Sequence, residues 1–292
     1  MVNLKDIIIG TAILFFLFYK DISYHYHYEK WNCKGIDSGD SGLADIKTYK
    51  YIPKVVYKTG IDDYNNIHSN VREVFSETIK QNPGFKIKYY SDNDSRDFIK
   101  NNFSNETLIT YDKLIPGAYK ADLFRYCILY MNGGIYSDLT QRFTKPFNEF
   151  IDFKKDNLYL VEDKEQHNIP LISGHGPQGG KLISSKGIQI SFIASRPGNE
   201  IFKSAIDGVI KNVGDKYYGT NPLHPTGPAH FYKILQDYNG SYQIGLKETG
   251  MTVVNGVGET IIINKINNHH SVILRNKDHY SRVWANRGIY RD

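Results

Sequence analysis

Three residues carry the chemistry that this sequence offers most directly: Asp122, Arg125 and Asp138. Asp122 and Arg125 are three positions apart in "GAYKADLFRYCILYMNGG", a stretch that reads as a helix of about four turns stopped by Gly133-Gly134, so they share one face. The next stretch, "GIYSD", reads as a short strand ending in Asp138, and in open α/β sheets ligands bind at the carboxyl ends of strands. Carboxylates hold sugar hydroxyls and hard divalent ions, and arginine holds phosphate or a pair of hydroxyls, so the set suits a sugar phosphate. The plainer reading of Asp122 and Arg125 alone is an i,i+3 ion pair on a helix surface. Two residues after Asp138, where a metal site would carry a second carboxylate, the chain has Thr140.

The elements that must position these residues alternate between strand and helix. "KVVY", between Pro53 and Gly60, reads as a buried first strand, followed by a helix with Ile67, Val71, Val74, Phe75 and Ile79 at helical spacing. "FKIKYYSD" alternates as a strand does, and "SRDFIKNNF" reads as a short helix. Beyond the central helix and strand come strands at "NLYLVED" and "IQISFIAS", helices at "GNEIFKSAIDGVIKNV" and "GPAHFYKILQDY", and a β-rich portion from Thr252. The segment 169–187 reads as a glycine-rich loop or hairpin. The pattern predicts an α/β domain with a mainly parallel sheet.

Length and composition agree with one large α/β domain or two small ones: 292 residues, 40% hydrophobic, with 23 tyrosines. The net charge of +5 comes with no nucleic-acid motif, and no nucleic-acid partner is expected. Five basic residues (Arg275, Lys277, Arg282, Arg287, Arg291) gather near the carboxyl end, where they form either a small-anion site or an ordinary solvated surface. Cys33 and Cys127 make no disulfide or zinc framework, and Cys127 sits in an apolar helical pattern. Residues 7–19, "IIIGTAILFFLFY", are uninterruptedly apolar, shorter than a comfortable span of ~20 residues, and no small-residue cleavage site follows. The expectation is a hydrophobic membrane anchor over 1–20, a polar stem over 21–48 and a folded domain over 49–292. A single-pass protein would then hold that domain in the secretory-pathway lumen or its equivalent. Sequons at Asn93, Asn102, Asn105 and Asn239 are compatible with this.

"AYKADLFRYCILYMNGGIYSDLT" resembles the central motif of the family 32 glycosyltransferases, a group that includes fungal Golgi α-mannosyltransferases and shares its pattern with clostridial toxin glycosyltransferase domains. "IPKVVYKTG", "NPGFKIKYYSD", "SFIASRPGNEIF" and "PTGP" are similar to flanking pieces of the family in the same order, so the resemblance covers roughly residues 50–290. It implies a nucleotide-sugar-binding fold of the GT-A type, dependence on Mn2+ or Mg2+, a nucleoside-diphosphate sugar as donor and a glycan or protein hydroxyl as acceptor. It also implies retention of configuration, with the diphosphate helping to deprotonate the acceptor.

Carried over by position, Asp122 and Arg125 would hold the donor sugar, and Asp138 would be the first carboxylate of the Asp-x-Asp metal motif. Tyr136 would lie near the ribose or sugar, and Tyr57 beside the base. His279, Ser281 or Trp284 would lie against the diphosphate and metal, with His279 and Thr140 as further metal ligands. Tyr57 and Trp284 read equally as packing residues, His279 as a surface residue, and Glu162 and Asp163 as a strand end near the sugar or a solvated loop edge. Thr140 departs from the motif. Either one carboxylate suffices beside the diphosphate, or the basic tail replaces the metal's charge, or the chain is a catalytically silent sugar-nucleotide or glycan-binding pseudoenzyme. A hydrolytic phosphoesterase would need more carboxylate or histidine ligands than this region supplies.

Overall fold

The structure, a computed structural model, describes residues 50–155, 157–163, 187–264 and 279–292. The apolar run 7–19, the polar stem, the glycine-rich loop and Arg275 and Lys277 lie outside the described residues. Among the described residues, no helix is long and apolar enough to cross a membrane.

Among the described residues, nine strands form one sheet. β1 (Val55–Thr59) lies between β2 (Lys86–Tyr90) and β3 (Gly134–Ser137), parallel to both. β6 (Ile188–Ser195) runs antiparallel between β3 and β5 (Leu158–Glu162). β7 (Gln243–Thr249) pairs parallel with β5. β8 (Thr252–Asn255), β9 (Thr260–Ile263) and β4 (Arg142–Phe143) then extend the row by antiparallel pairings. The strand order is β2-β1-β3-β6-β5-β7-β8-β9-β4.

The sheet is therefore mixed, and the expectation of a mainly parallel one is corrected. Parallel neighbours need a crossover, and the sequence supplies helical crossovers between β1 and β2 and between β2 and β3. From β7 to β9 only short turns separate the strands, and such turns allow only antiparallel pairing.

Four residues, 138–141, join β3 to β4, although six strand spacings separate these two along the row. Six spacings of a flat sheet amount to about 29 Å, whereas the chain from Ser137 to Arg142 spans at most ~18 Å. The sheet must curl until its far edge returns beside β3. The ring of Phe143 on β4 accordingly packs against Phe192 on β6, with centroids 5.8 Å apart.

The helices among the described residues are α1 (Ser69–Gln81), α2 (Asp92–Asn102), α3 (Asn105–Lys113), α4 (Gly117–Asn132), α5 (Glu200–Gly214), α6 (Pro228–Gln236) and the short α7 (Tyr280–Ala285). α2 begins a turn earlier than the sequence reading, at a capping box in which Ser91 and Asp94 bond reciprocally across their side chains and backbone N–H groups. α4 buries Leu123, Phe124, Cys127, Ile128 and Leu129 against the face of the sheet that carries Tyr57 and Tyr136. Each such apolar side chain stabilises the fold by about 1.5–3 kcal/mol. Val56, Ile135, Phe143, Phe147 and Phe192 fill a second core on the opposite face.

The helix-to-strand corner requires both glycines. Gly133 has φ +59° and Gly134 φ +97°. A Cβ on Gly133 would lie 2.5 Å from the Pro197 ring and 2.7 Å from the Ser195 carbonyl oxygen. The carboxyl-terminal segment returns to the start of α4, where the Ile115 N–H donates to the Ile289 carbonyl and the Arg291 N–H to that of Lys113. This brings Tyr280 against Tyr119, ring centroids 5.9 Å apart.

Candidate functional site

The carboxyl ends of β1, β3, β5, β7 and β9 share one edge of the sheet, because these five strands run in the same direction. Asp138, Asp163, Glu248 and Asn264 all lie at that edge. The inner face of α4 leans over it.

Asp122 and Arg125 are not a surface pair: their side chains are 10% and 6% exposed, and Arg125 Nη2 lies 3.1 Å from Asp122 Oδ1. Arg125 Nη1 donates to the Ile190 carbonyl at 2.5 Å and lies 3.6 Å from Asp138 Oδ1. The guanidinium rests on the Tyr136 ring, 4.5 Å from its centre. Burial opposes the charge on Arg125, and Tyr136, Asp122 and Asp138 hold it nonetheless well above its usual pKa.

Asp122 Oδ2 accepts a 2.8 Å hydrogen bond from the Thr226 hydroxyl. Burial pushes the Asp122 carboxyl up to about 6, against the opposing pull of Arg125 and Thr226. Gly227 permits the approach, since a Cβ there would stand 3.3 Å from Asp122 Oδ2. The Thr226-Gly227-Pro228 motif thus closes over the helix-borne carboxylate.

Asp138 opens the turn after β3. Its side chain is 45% exposed, the most accessible of the three acidic and basic groups in the cluster. The Tyr136 phenol hydrogen-bonds its carboxylate, and its backbone N–H donates to the Ser191 carbonyl.

On the opposite face of β1 from Tyr57, Lys58 reaches beneath this turn with no exposed surface. Its Nζ donates to Ser137 Oγ at 3.0 Å, to the Asp138 carbonyl at 2.9 Å and to the Gln141 carbonyl at 3.5 Å. Burial pushes Lys58 down to about 7, with the Asp138 charge working the other way. From Ser137 the hydrogen bonds continue through Gln141 to Asn264, and Asn264 Nδ2 donates to Glu248 Oε1. The hydroxyl of Thr140 donates to the Asn264 carbonyl at 3.2 Å, and the residue is 9% exposed. The position of the missing carboxylate is thus tied to the end of β9.

The remaining sequence candidates divide. Tyr57 is 3% exposed, and its ring contacts Tyr90 in the core, so it is not placed to flank a base. Tyr136 is equally buried and serves as the platform for Arg125 and the hydrogen-bond donor to Asp138. Trp284 Nε1 donates to the Tyr218 carbonyl at 2.7 Å, which pins α7 to the chain before α6 and leaves no indole donor for a diphosphate. His279 caps α7, accepting the Ser281 N–H at Nδ1, and its ring lies 4.4 Å from that of Tyr280. The Ser281 side chain hydrogen-bonds Tyr280. Glu162 pairs loosely with Lys247, at 3.8 Å, while Asp163 is 4% exposed. The Arg287 guanidinium lies on the Tyr218 ring.

Sequence reasoning passed over Lys58, Thr226 and Tyr280. Burial raises the Tyr280 phenol, and the charges of Asp122 and Asp163 add to the shift. The "PTGP" motif pointed to Thr226 without revealing its partner. For Lys58 the only signal was a lysine at a core-facing strand position.

Among the described residues, no group of three or more His, Cys, Asp or Glu is placed to hold a metal ion. The donor set does fit an ion held by one carboxylate, Asp138, and otherwise by phosphate oxygens and water.

The family described as "Glycosyltransferase sugar-binding region containing DXD motif" matches residues 68–156. The chain is 38% identical over 100 residues to an uncharacterised glycosyltransferase of Acanthamoeba polyphaga mimivirus, covering 34% of this chain and 40% of that protein. It is 26% identical over 223 residues to the initiation-specific alpha-1,6-mannosyltransferase of Saccharomyces cerevisiae, covering 66% of this chain and 46% of that one. The chain thus spans less than half the length of either relative. Among solved structures, the PaToxG glycosyltransferase aligns with a TM-score of 0.45 at 19% identity, over 63% of this chain and 69% of that one.

Proposed function

We propose that the chain is a glycosyltransferase related to the family with a DXD-containing sugar-binding region, whose model matches residues 68–156, and that it transfers a sugar from a nucleoside-diphosphate sugar to a hydroxyl of a glycan or protein. The observation that carries this reading is the convergence of Asp122, Arg125 and Asp138 within one hydrogen-bonded cluster at the carboxyl edge of the sheet.

In this reading the three residues divide the work by exposure. Asp138, the accessible carboxylate, faces the donor and would hold a divalent ion together with the diphosphate oxygens. Such an ion, Mn2+ or Mg2+, supplies charge neutralisation to the leaving diphosphate. Arg125 spans Asp122, Asp138 and the Ile190 carbonyl, so it fixes the distance between the two carboxylates. Asp122, held by Arg125 and Thr226, forms the polar floor against which sugar hydroxyls bind. Tyr280 packs against Tyr119 and so brings α7 to the start of α4. Retention, which the sequence resemblance implies, would have the acceptor hydroxyl attack on the face the diphosphate leaves. The sugar is a hexose in this reading, and the yeast relative's name supports mannose as the first to test.

The test is nucleotide release by the full chain from a panel of nucleoside-diphosphate sugars, with Mn2+ or Mg2+ and with chelator. Turnover that requires the ion and falls to a small but measurable level in Asp138→Ala supports the reading. Donor binding without transfer or hydrolysis across the panel supports a sugar-nucleotide-binding pseudoenzyme instead. The apolar run 7–19 supports attachment to a membrane. Full chain recovered in the aqueous phase after detergent partitioning would count against it.

A further inference from the structure

We infer that Lys58 is the positioning residue of the Asp138 turn, its buried Nζ being the fixed hydrogen-bond donor around which residues 138–141 are wrapped. The inference rests on reading that turn as the donor site. Three oxygens converge on Lys58 Nζ from one side: Ser137 Oγ, the Asp138 carbonyl and the Gln141 carbonyl. The rings of Phe75 and Phe143 each lie 5.7 Å away and complete an enclosure of the kind that aromatic faces give a cation. Among the described residues no carboxylate stands within ion-pair distance of Lys58. An ammonium buried on neutral partners is expensive, and an apolar side chain on this inward-facing strand position would serve the core better. A local rule broken in this way marks a position held for something other than stability.

The geometry indicates what that is. The Asp138 backbone is gripped from both sides, its N–H by the Ser191 carbonyl and its C=O by Lys58. Its carboxylate is then aimed by Tyr136 and Arg125. Arg125 acts from one face of the sheet and Lys58 from the other, so the turn sits between two buried hydrogen-bond donors. In a turn with carboxylates at both 138 and 140, a bound ion could order the loop. Here Thr140 is tied to the Asn264 carbonyl, and the internal ordering falls to Lys58. Ser137 and Gln141 pass the constraint on to Asn264 and Glu248.

The experiment uses the full chain with Lys58→Met and Lys58→Gln, alone and combined with Asp138→Ala. Amide exchange at Asp138 and Gln141, referenced to global unfolding, should quicken at least about tenfold in the Lys58 variants, because their carbonyl anchor is gone. Donor turnover should lose about 100-fold in kcat with little change in donor KM, as a misplaced catalytic group does. In the Asp138→Ala background the Lys58 substitutions should lower kcat no further, since the lysine acts through Asp138.

Unchanged exchange at the turn, or losses that add to those of Asp138→Ala, would overturn the inference. So would loss of the fold in both Lys58 variants, which would assign the lysine to stability alone. If the wild-type chain turns over no donor, the donor-site reading fails, and the exchange measurement still decides whether Lys58 orders the turn.

Discussion

Replacing Arg125 with methionine tests the centre of the site without reference to any substrate. The guanidinium is a buried crosspiece: it donates to the Ile190 carbonyl at 2.5 Å, pairs with Asp122 at 3.1 Å and Asp138 at 3.6 Å, and lies on Tyr136. A hydrogen bond from a charged group contributes about 1.5–3 kcal/mol and a desolvated cation–π contact about 2 kcal/mol. These figures do not add, because the partners share one network. The better guide is the cost of stripping one partner from a buried ion pair, about 3–5 kcal/mol. Against a total stability of about 5–15 kcal/mol, Arg125→Met should therefore stay folded but with a urea midpoint far below that of the wild type.

The loss should also depend on pH. Burial already lifts the Asp122 carboxyl from 3.8 to about 6, and Arg125 is the strongest influence restraining it. A carboxyl whose folded value lies above its unfolded one binds its proton more tightly when folded, so its contribution to stability declines as pH rises between the two values. Without Arg125 that window extends upward, and the variant should lose more at about pH 8 than at about pH 5, where a protonated Asp122 needs no counter-ion. Adding Asp122→Asn should restore part of the loss, giving a coupling of about 0.5–3 kcal/mol. Urea unfolding followed by circular dichroism at both pH values makes the measurement. Arg125→Met within about 0.5 kcal/mol of the wild type at both would refute the buried crosspiece.

Two further substitutions probe the supports. Thr226→Val removes the hydroxyl that holds Asp122 ionised, so the Asp122 carboxyl should rise above about 6 and the acid limb of donor turnover should move to higher pH in a pH–rate profile. Gly133→Ala forces a side chain into left-handed backbone and against Pro197, and should lower stability by about 1–3 kcal/mol or more in thermal unfolding.

The sequence disclosed local features and left contacts hidden. The periodicity of α4, its Gly-Gly stop and the strand that follows were legible because each depends on neighbours in the chain, and together they put Asp122, Arg125 and Asp138 at one edge. Strand direction was not legible: "IQISFIAS" reads the same in a parallel or an antiparallel pairing, and only the whole row shows that it runs against β3 and β5. Tyr57 was drawn toward a base by its place in a motif, whereas the alternation of β1 turns its ring into the core. Lys58, the next residue, was overlooked because its partners lie some 80 positions away in the chain. Trp284 had the residue type of a ligand-stacking group, but its indole N–H meets a backbone carbonyl in its own domain.

The four-residue turn between β3 and β4 also says something about time. A chain made from its amino terminus forms α4, β3 and Asp138 long before it has β9, the strand that β4 pairs with through Ile262 and Ile263. Until Asn264 emerges, Thr140 and Gln141 lack their anchors, and the sheet has no far edge to roll back against β3. The turn that carries Asp138 is thus completed only after Asn264, although Asp122 and Asp138 are synthesised well before it. A nascent chain that has not yet reached Asn264 carries the motif without the contacts that hold its turn.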